Sequence, residues 1–239
     1  MNAPVGVVVA LLSEAKALGL KHPRPGLNSG GLPTLQIYVS GMREGPAREA
    51  ATALADAGVA ALLSFGTAGG LDPALSAGAV VCPQRVLYMD GHVVEADAAW
   101  RARLVARCAD IELIDGMILT TRQTLLNSGI KYLARTQSQA VAVDQESSAI
   151  ADVARARGLP FLALRAIVDD AEATLPLAVV DGVDAYGRAR PLAMIGGLLQ
   201  SPWQISKLPG LARAFADARR SLRTIVKCAP DFGWNPDTR

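Results

Sequence analysis

Val5-Gly-Val-Val-Val-Ala-Leu-Leu12 is an unbroken apolar run rich in β-branched residues, and its reading decides the class of fold. A strand exposed on one side alternates apolar and polar residues, whereas an uninterrupted run is buried on both faces, as in the parallel sheets of α/β proteins. Similar signals recur along the chain. Leu35 to Val39 reads as a second strand ending at Ser40-Gly41, Ala61 to Phe65 as another, and Phe161 to Val168 as the last clear buried strand. Ala79 to Cys82, Arg85 to Met89, Met117 to Thr120 and Ala140 to Val143 add shorter ones. Helices are predicted between them. One is opened by Pro46 and runs through Leu54 to Ala57, stopped by Gly58; one runs from an N-cap at Asp97 to about Cys108; one spans about Ser147 to Arg157, ended by Gly158 and Pro160. This alternation predicts an α/β fold of three layers, a mostly parallel central sheet flanked by helices. Beyond Tyr186 the pattern turns helical, with breaks near Pro202 and Pro209. The expected organisation is a single domain over residues 1–239, with a helical C-terminal extension at about 190–227.

Composition narrows the function classes. Hydrophobic residues make up 51% of the chain and charged residues 19%, the balance of a compact protein rather than a disordered one. A net charge of +2 and 5% aromatic residues supply neither an electrostatic footprint nor stacking platforms, so nucleic acid is not an expected partner. Cys82, Cys108 and Cys228 are widely spaced, and His22 and His92 are the only histidines. No CxxC pair or Cys/His cluster occurs, so neither a disulfide framework nor a metal is expected. The N-terminus lacks a positive n-region and its apolar stretch has only strand length, which makes the cytoplasm the expected location.

Polar residues at the ends of apolar strands carry the chemistry, because open α/β sheets bind ligands at their carboxyl edge. Glu14 follows the first strand, Asp144-Gln145-Glu146 a middle one, and Asp169-Asp170 the last. Arg165 lies inside the last apolar strand, where an unpaired charge is costly, so a carboxylate partner is required and Glu14 is the candidate. Plainer readings exist for each. Glu14 suits the first turn of a helix, Asp169 or Asp170 a cap, Glu146 a solvated helix start, and Arg165 a structural ion pair. Gly66-Thr67-Ala68-Gly69-Gly70 reads as a loop that admits either a sugar or an anion close to the backbone, or as a tight structural turn. It matches neither the GxGxxG nor the GxxxxGKS/T pattern.

Four motifs in order resemble a known family. Ser64-Phe-Gly-Thr-Ala-Gly-Gly-Leu71 followed by Gly78-Ala-Val-Val81, Val143-Asp-Gln-Glu-Ser-Ser-Ala-Ile150, Arg165-Ala-Ile-Val-Asp169, and the opening strand leading to Glu14 are similar to motifs of methylthioadenosine/S-adenosylhomocysteine nucleosidases. These belong to the nucleoside phosphorylase and nucleosidase superfamily. Ser40-Gly-Met42, Leu63-Ser-Phe-Gly66, Ala-Gly-Gly-Leu-Asp-Pro-Ala-Leu75, Trp100-Arg101 and Pro160-Phe-Leu-Ala-Leu-Arg165 further resemble the hopanoid-associated phosphorylase branch, which removes adenine from adenosylhopane.

The resemblance implies an enzyme that cleaves the N-glycosidic bond of a 5′-substituted adenosine, with no cofactor and with phosphate as co-substrate if it is a phosphorylase. It assigns Asp169 to protonating the purine at N7, Glu146 to the ribose hydroxyls, Glu14 to deprotonating the attacking water and Arg165 to orienting it. Thr67 and Gly69 face the sugar, and Gln145 stands where the nucleosidases usually have methionine. Hydrolysis and phosphorolysis both remain open: Glu14 favours water, while Arg43 and Arg122 are available for a phosphate. A nucleoside-binding protein without catalysis is the third reading. Related enzymes imply a homodimer. Lys207, Arg213, Arg219, Arg220, Arg223 and Lys227, interleaved with Leu208, Leu211, Phe215, Leu222 and Ile225, form a basic amphipathic stretch. Such a stretch suits either peripheral contact with an anionic membrane face or packing on the domain with a solvated basic side.

Overall fold

The computed structural model describes residues 3–28, 32–192 and 202–235. In chain order the elements are β1 (Val5–Val9), α1 (Leu12–Ala17), β2 (Gly26–Asn28), β3 (Leu35–Val39), α2 (Glu44–Asp56), β4 (Ala61–Gly70), β5 (Val80–Val81), β6 (Arg85–Tyr88) and β7 (Val93–Glu95). There follow α3 (Ala98–Arg107), β8 (Leu113–Ile114), β9 (Met117–Thr120), α4 (Ser128–Ser138), β10 (Ala142–Asp144), α5 (Ser147–Ala156), β11 (Phe161–Asp169) and α6 (Leu177–Val180). A 3-10 segment, Pro202–Lys207, leads into the long helix α7 (Leu208–Cys228).

All these strands join one sheet around β4. On one side β4 pairs in parallel with β1, which pairs in parallel with β3; on the other it pairs in parallel with β11. The last residues of β4 turn to pair antiparallel with β10, which continues through β9 to β6 and β7. Strand alternation sends side chains to two apolar cores. Val5, Val7, Val9, Leu63 and Phe65 face one core, and Val8 and Leu62 the other. The first core is closed by Leu18 at the C-cap of α1, Trp100 and Leu104 of α3, and Leu222 and Ile225 of α7. The second is closed by Ala47, Ala50, Ala51 and Leu54 of α2, at helical spacing, against Ala149, Ile150, Val153 and Ala154 of α5. The result is the three-layer α/β fold.

Three departures from the sequence reading have physical causes. Gly66 to Gly70 is not a loop: β4 runs through it, paired to β11 on one side and, at its end, to β10. Pro209 does not break the tail helix but sits in its first turn, where its missing N–H would have no partner anyway. Helix α4, between β9 and β10, was not anticipated; Asn127 caps it by accepting a hydrogen bond from the Ile130 N–H at 3.0 Å.

Much of the tail packs on the sheet. Ala218, Leu222 and Ile225 of α7 are buried against the first core, while Arg213, Arg220, Arg223 and Lys227 are exposed. Each buried leucine or isoleucine side chain contributes about 1.5–3 kcal/mol. The apolar side of this helix is therefore already occupied from Ala218 onward, and its basic side faces solvent. The stretch 193–201 of the expected tail lies outside the described residues. Among the described residues no helix is long and apolar enough to cross a membrane.

Candidate functional site

The carboxyl ends of β1, β10 and β11 open on a cavity of about 180 Å³. Glu14, Thr67, Gly69, Gln145, Glu146 and Asp169 all line it, as do Asp144 and Lys131. Its apolar walls include Leu11, Met42, Leu125, Val143, Leu175 and Phe215. Arg43 and Arg122 are exposed, and neither lines this cavity.

Glu14 is the third residue of α1 and is buried. Its Oε2 accepts from the N–H groups of Ala10 (3.0 Å) and Leu11 (2.9 Å), and its Oε1 from the N–H (2.8 Å) and hydroxyl (2.9 Å) of Thr67. Four donors fix the carboxyl in place. Burial nonetheless pushes it above its ordinary pKa, against the opposing charge of Arg165 and the bonds from Leu11 and Thr67.

Arg165, inside β11, does not take Glu14 as its ion-pair partner. Its Nη2 lies 2.8 Å from Oδ2 of Asp144 and 3.7 Å from Oε2 of Glu146, and donates to the hydroxyls of Ser64 (2.7 Å) and Ser147 (3.1 Å). Burial works against the guanidinium charge; Asp144, Glu146 and Glu14 outweigh it and raise its pKa. Gly66 makes the arrangement possible. A Cβ there would stand 2.6 Å from Oε1 of Glu14 and 2.7 Å from Nη1 of Arg165, so a side chain would force both charged groups away.

Asp144 closes β10 and is held by the Thr120 hydroxyl at 2.8 Å and by the Ser147 hydroxyl. Glu146 follows as the N-cap of α5, and its Oε1 accepts from the N–H of Arg43 at 2.9 Å. Burial pushes Glu146 up to about 7, with Arg165 opposing and Asp144 assisting. One guanidinium thus faces three buried carboxyls, Glu14, Asp144 and Glu146. Gln145 donates from Nε2 to the Thr124 hydroxyl at 2.8 Å.

Asp169 ends β11 where the register against β4 shifts, which sets it opposite Gly69. Sequence reasoning missed its partner: Lys131 of α4, buried, pairs with Oδ2 of Asp169 and donates to the Asp170 carbonyl at 2.5 Å. Burial pushes Asp169 up to about 6, opposed by Lys131 and assisted by Asp170. No local signal marked this lysine, since its contact lies 38 residues away in sequence. Chemically, the cavity combines a carboxyl poised to give up a proton near neutral pH with two more that can accept hydrogen bonds or a proton. Among the described residues no cluster of His, Cys, Asp and Glu is arranged to hold a metal ion.

The family model of the phosphorylase superfamily matches residues 29–199. A 5′-methylthioadenosine/S-adenosylhomocysteine nucleosidase of Baumannia cicadellinicola subsp. Homalodisca coagulata is 28% identical over 131 residues, covering 46% of this chain. The match spans 57% of that relative's own length. Among solved structures, a Helicobacter pylori MTAN mutant with 5′-methylthioadenosine in its active site superposes with a TM-score of 0.68 at 19% identity, covering 95% of this chain and 99% of that one. The native futalosine hydrolase of Helicobacter pylori strain 26695 gives 0.69 at 16% identity, covering 97% and 98%. At these identities the likeness is one of fold.

Proposed function

This chain belongs to the phosphorylase superfamily, and on that premise we propose that it hydrolyses the N-glycosidic bond of a 5′-substituted adenosine, releasing adenine. Breaking the bond from C1′ to N9 sends the electron pair to the purine and leaves positive charge on the sugar. Asp169 gives a proton to N7 of the departing base. Water attacks C1′ and loses a proton to Glu14, whose raised pKa suits a base. Glu146 receives the ribose hydroxyls and, when ionised, favours the cationic sugar. Arg165 fixes Asp144 and Glu146, and Thr67 holds Glu14.

The observation that carries water rather than phosphate as nucleophile is the charge around the cavity. The buried cations beside it, Arg165 and Lys131, are paired with carboxylates, and Arg43 and Arg122 are exposed. A phosphate dianion would have to sit among Glu14, Asp144 and Glu146 without a free cation from these four to neutralise it. The motif resemblance to the adenosylhopane-cleaving branch makes adenosylhopane the substrate we favour. The apolar side chains of Leu11, Met42 and Phe215 suit an apolar 5′ group.

The test is adenine release from adenosylhopane, and in parallel from 5′-methylthioadenosine, in phosphate-free buffer and again with phosphate. Hydrolysis requires release without phosphate at an undiminished rate. Release only with phosphate would make the chain a phosphorylase, and binding without release under either condition would make it a nucleoside-binding protein.

A further inference from the structure

Lys131 takes no part in the chemical steps above, yet among the described residues it is one of the largest fully buried side chains, and it reaches the group on which those steps depend. It enters from α4 and lines the same cavity as Asp169. Its Nζ is shared between Oδ2 of Asp169 and the Asp170 carbonyl. Asp169 lines the cavity, and its Oδ1 receives no hydrogen bond from the described residues. One oxygen of the carboxyl is clamped and the other is free.

We propose that Lys131 is the positioning residue of Asp169: it pins Oδ2 so that Oδ1 carries the transferable proton, and its charge steadies the carboxylate left when that proton moves to N7. The inference rests on Asp169 being the acid of the proposed reaction. The step balances. The O–H bond at Oδ1 breaks, the N7–H bond forms, and the negative charge created on Asp169 is met by the ammonium already at Oδ2. Without that ammonium the apolar surroundings would oppose the ionised product of the transfer, and Asp169 would keep its proton to higher pH as a weaker acid.

Other charged groups face Asp169 as well. Asp170 adjoins it, and Glu14, Asp144 and Glu146 line the same cavity. Lys207, Arg213 and Asp217 line a second cavity of about 480 Å³ that also touches Asp169. All of these stand unchanged when Lys131 alone is replaced, so a difference between variants reports on the lysine.

The experiment follows the Asp169 carboxyl by carbon NMR in ¹³C-labelled protein, assigned with Asp169→Asn, in the wild type, Lys131→Met and Lys131→Arg. The pH dependence of kcat/KM is recorded alongside. Lys131→Met should fold, because Asp169 can become neutral by keeping its proton. Its titration should move up by about one unit or more, with the basic limb of kcat/KM moving in the same direction and kcat falling. Lys131→Arg, which keeps the charge, should restore most of the shift. An Asp169 titration that is the same in wild type and Lys131→Met would overturn the inference. A titration that moves in a protein releasing no adenine would keep the clamp and overturn the proposed function instead.

Discussion

Oδ2 of Asp144 lies 2.8 Å from Nη2 of Arg165, and both side chains are almost wholly buried. A pair of this kind costs little while intact, but loss of one partner strands the other away from water, at about 3–5 kcal/mol. Arg165→Met should therefore lower the urea-unfolding free energy by about that amount. The double variant with Asp144→Asn should recover part of it, since the neutral amide no longer needs a cation. Additive losses in the two single variants would mean that the two groups do not act as a pair.

Asp169 and Glu146 are assigned different work, so their variants should separate. Asp169→Asn removes the proton but keeps the shape and should lose about 10²–10⁴-fold in kcat with substrate affinity retained. Glu146→Gln weakens a group that holds the sugar and should lower affinity and kcat together. Calorimetric binding of 5′-methylthioadenosine beside steady-state kinetics distinguishes the two patterns. Near-normal turnover by Asp169→Asn would remove it as the acid.

What the sequence disclosed of this site follows from the kind of contrast each residue makes with its neighbours. Glu14 and Glu146 follow apolar strands and Asp169 ends one, and the structure brings all three to one cavity. Arg165 interrupts an apolar strand, so its need for a counter-ion was legible; which of several carboxylates answers it depends on β10 lying beside β4 and was not. Gly66 to Gly70 read as a loop because three of its five residues are glycines, which carry no strand pattern. Lys131 carried no signal because the surroundings of its position invert the usual pattern. It is 1% exposed, while its neighbours Ile130, Tyr132 and Leu133 are 43%, 71% and 57% exposed, so an amphipathic pattern would place the lysine outside and the apolar residues inside.

The buried carboxyls also make stability depend on pH. Burial raises Glu146 from 4.5 to about 7 and Asp169 from 3.8 to about 6, and raises Glu14 as well. The folded state therefore binds more protons than the unfolded one between these limits. Stability from this source is fully present below about pH 4 and is lost as pH rises towards 7. Asp152, where burial is outweighed by Arg48, Tyr88 and Arg155 so that the pKa is lowered, acts in the opposite sense but only near and below its ordinary value of 3.8. The thermal midpoint should be higher at pH 5 than at pH 8, and Glu146→Gln, which cannot ionise, should narrow the difference. An equal midpoint at both pH values in the wild type would mean that these groups ionise freely in the folded protein.

Arg43 has φ 87° and ψ 163°, a backbone region almost reserved for glycine, and a side chain in it costs about 1–3 kcal/mol. Its N–H donates to Oε1 of Glu146 at 2.9 Å, so the strained conformation aims a backbone donor at the cavity while the side chain points to solvent. The backbone is then the part that matters for the site. Arg43→Gly keeps the N–H and relieves the strain, at the expense of greater freedom in the unfolded chain of about 0.5–1 kcal/mol. The expected outcome is a variant at least as stable as the wild type, with unchanged phosphate-free turnover and an unchanged response to added phosphate. Loss of a phosphate-stimulated rate in this variant would instead assign the guanidinium to a phosphate site and reverse the choice of nucleophile.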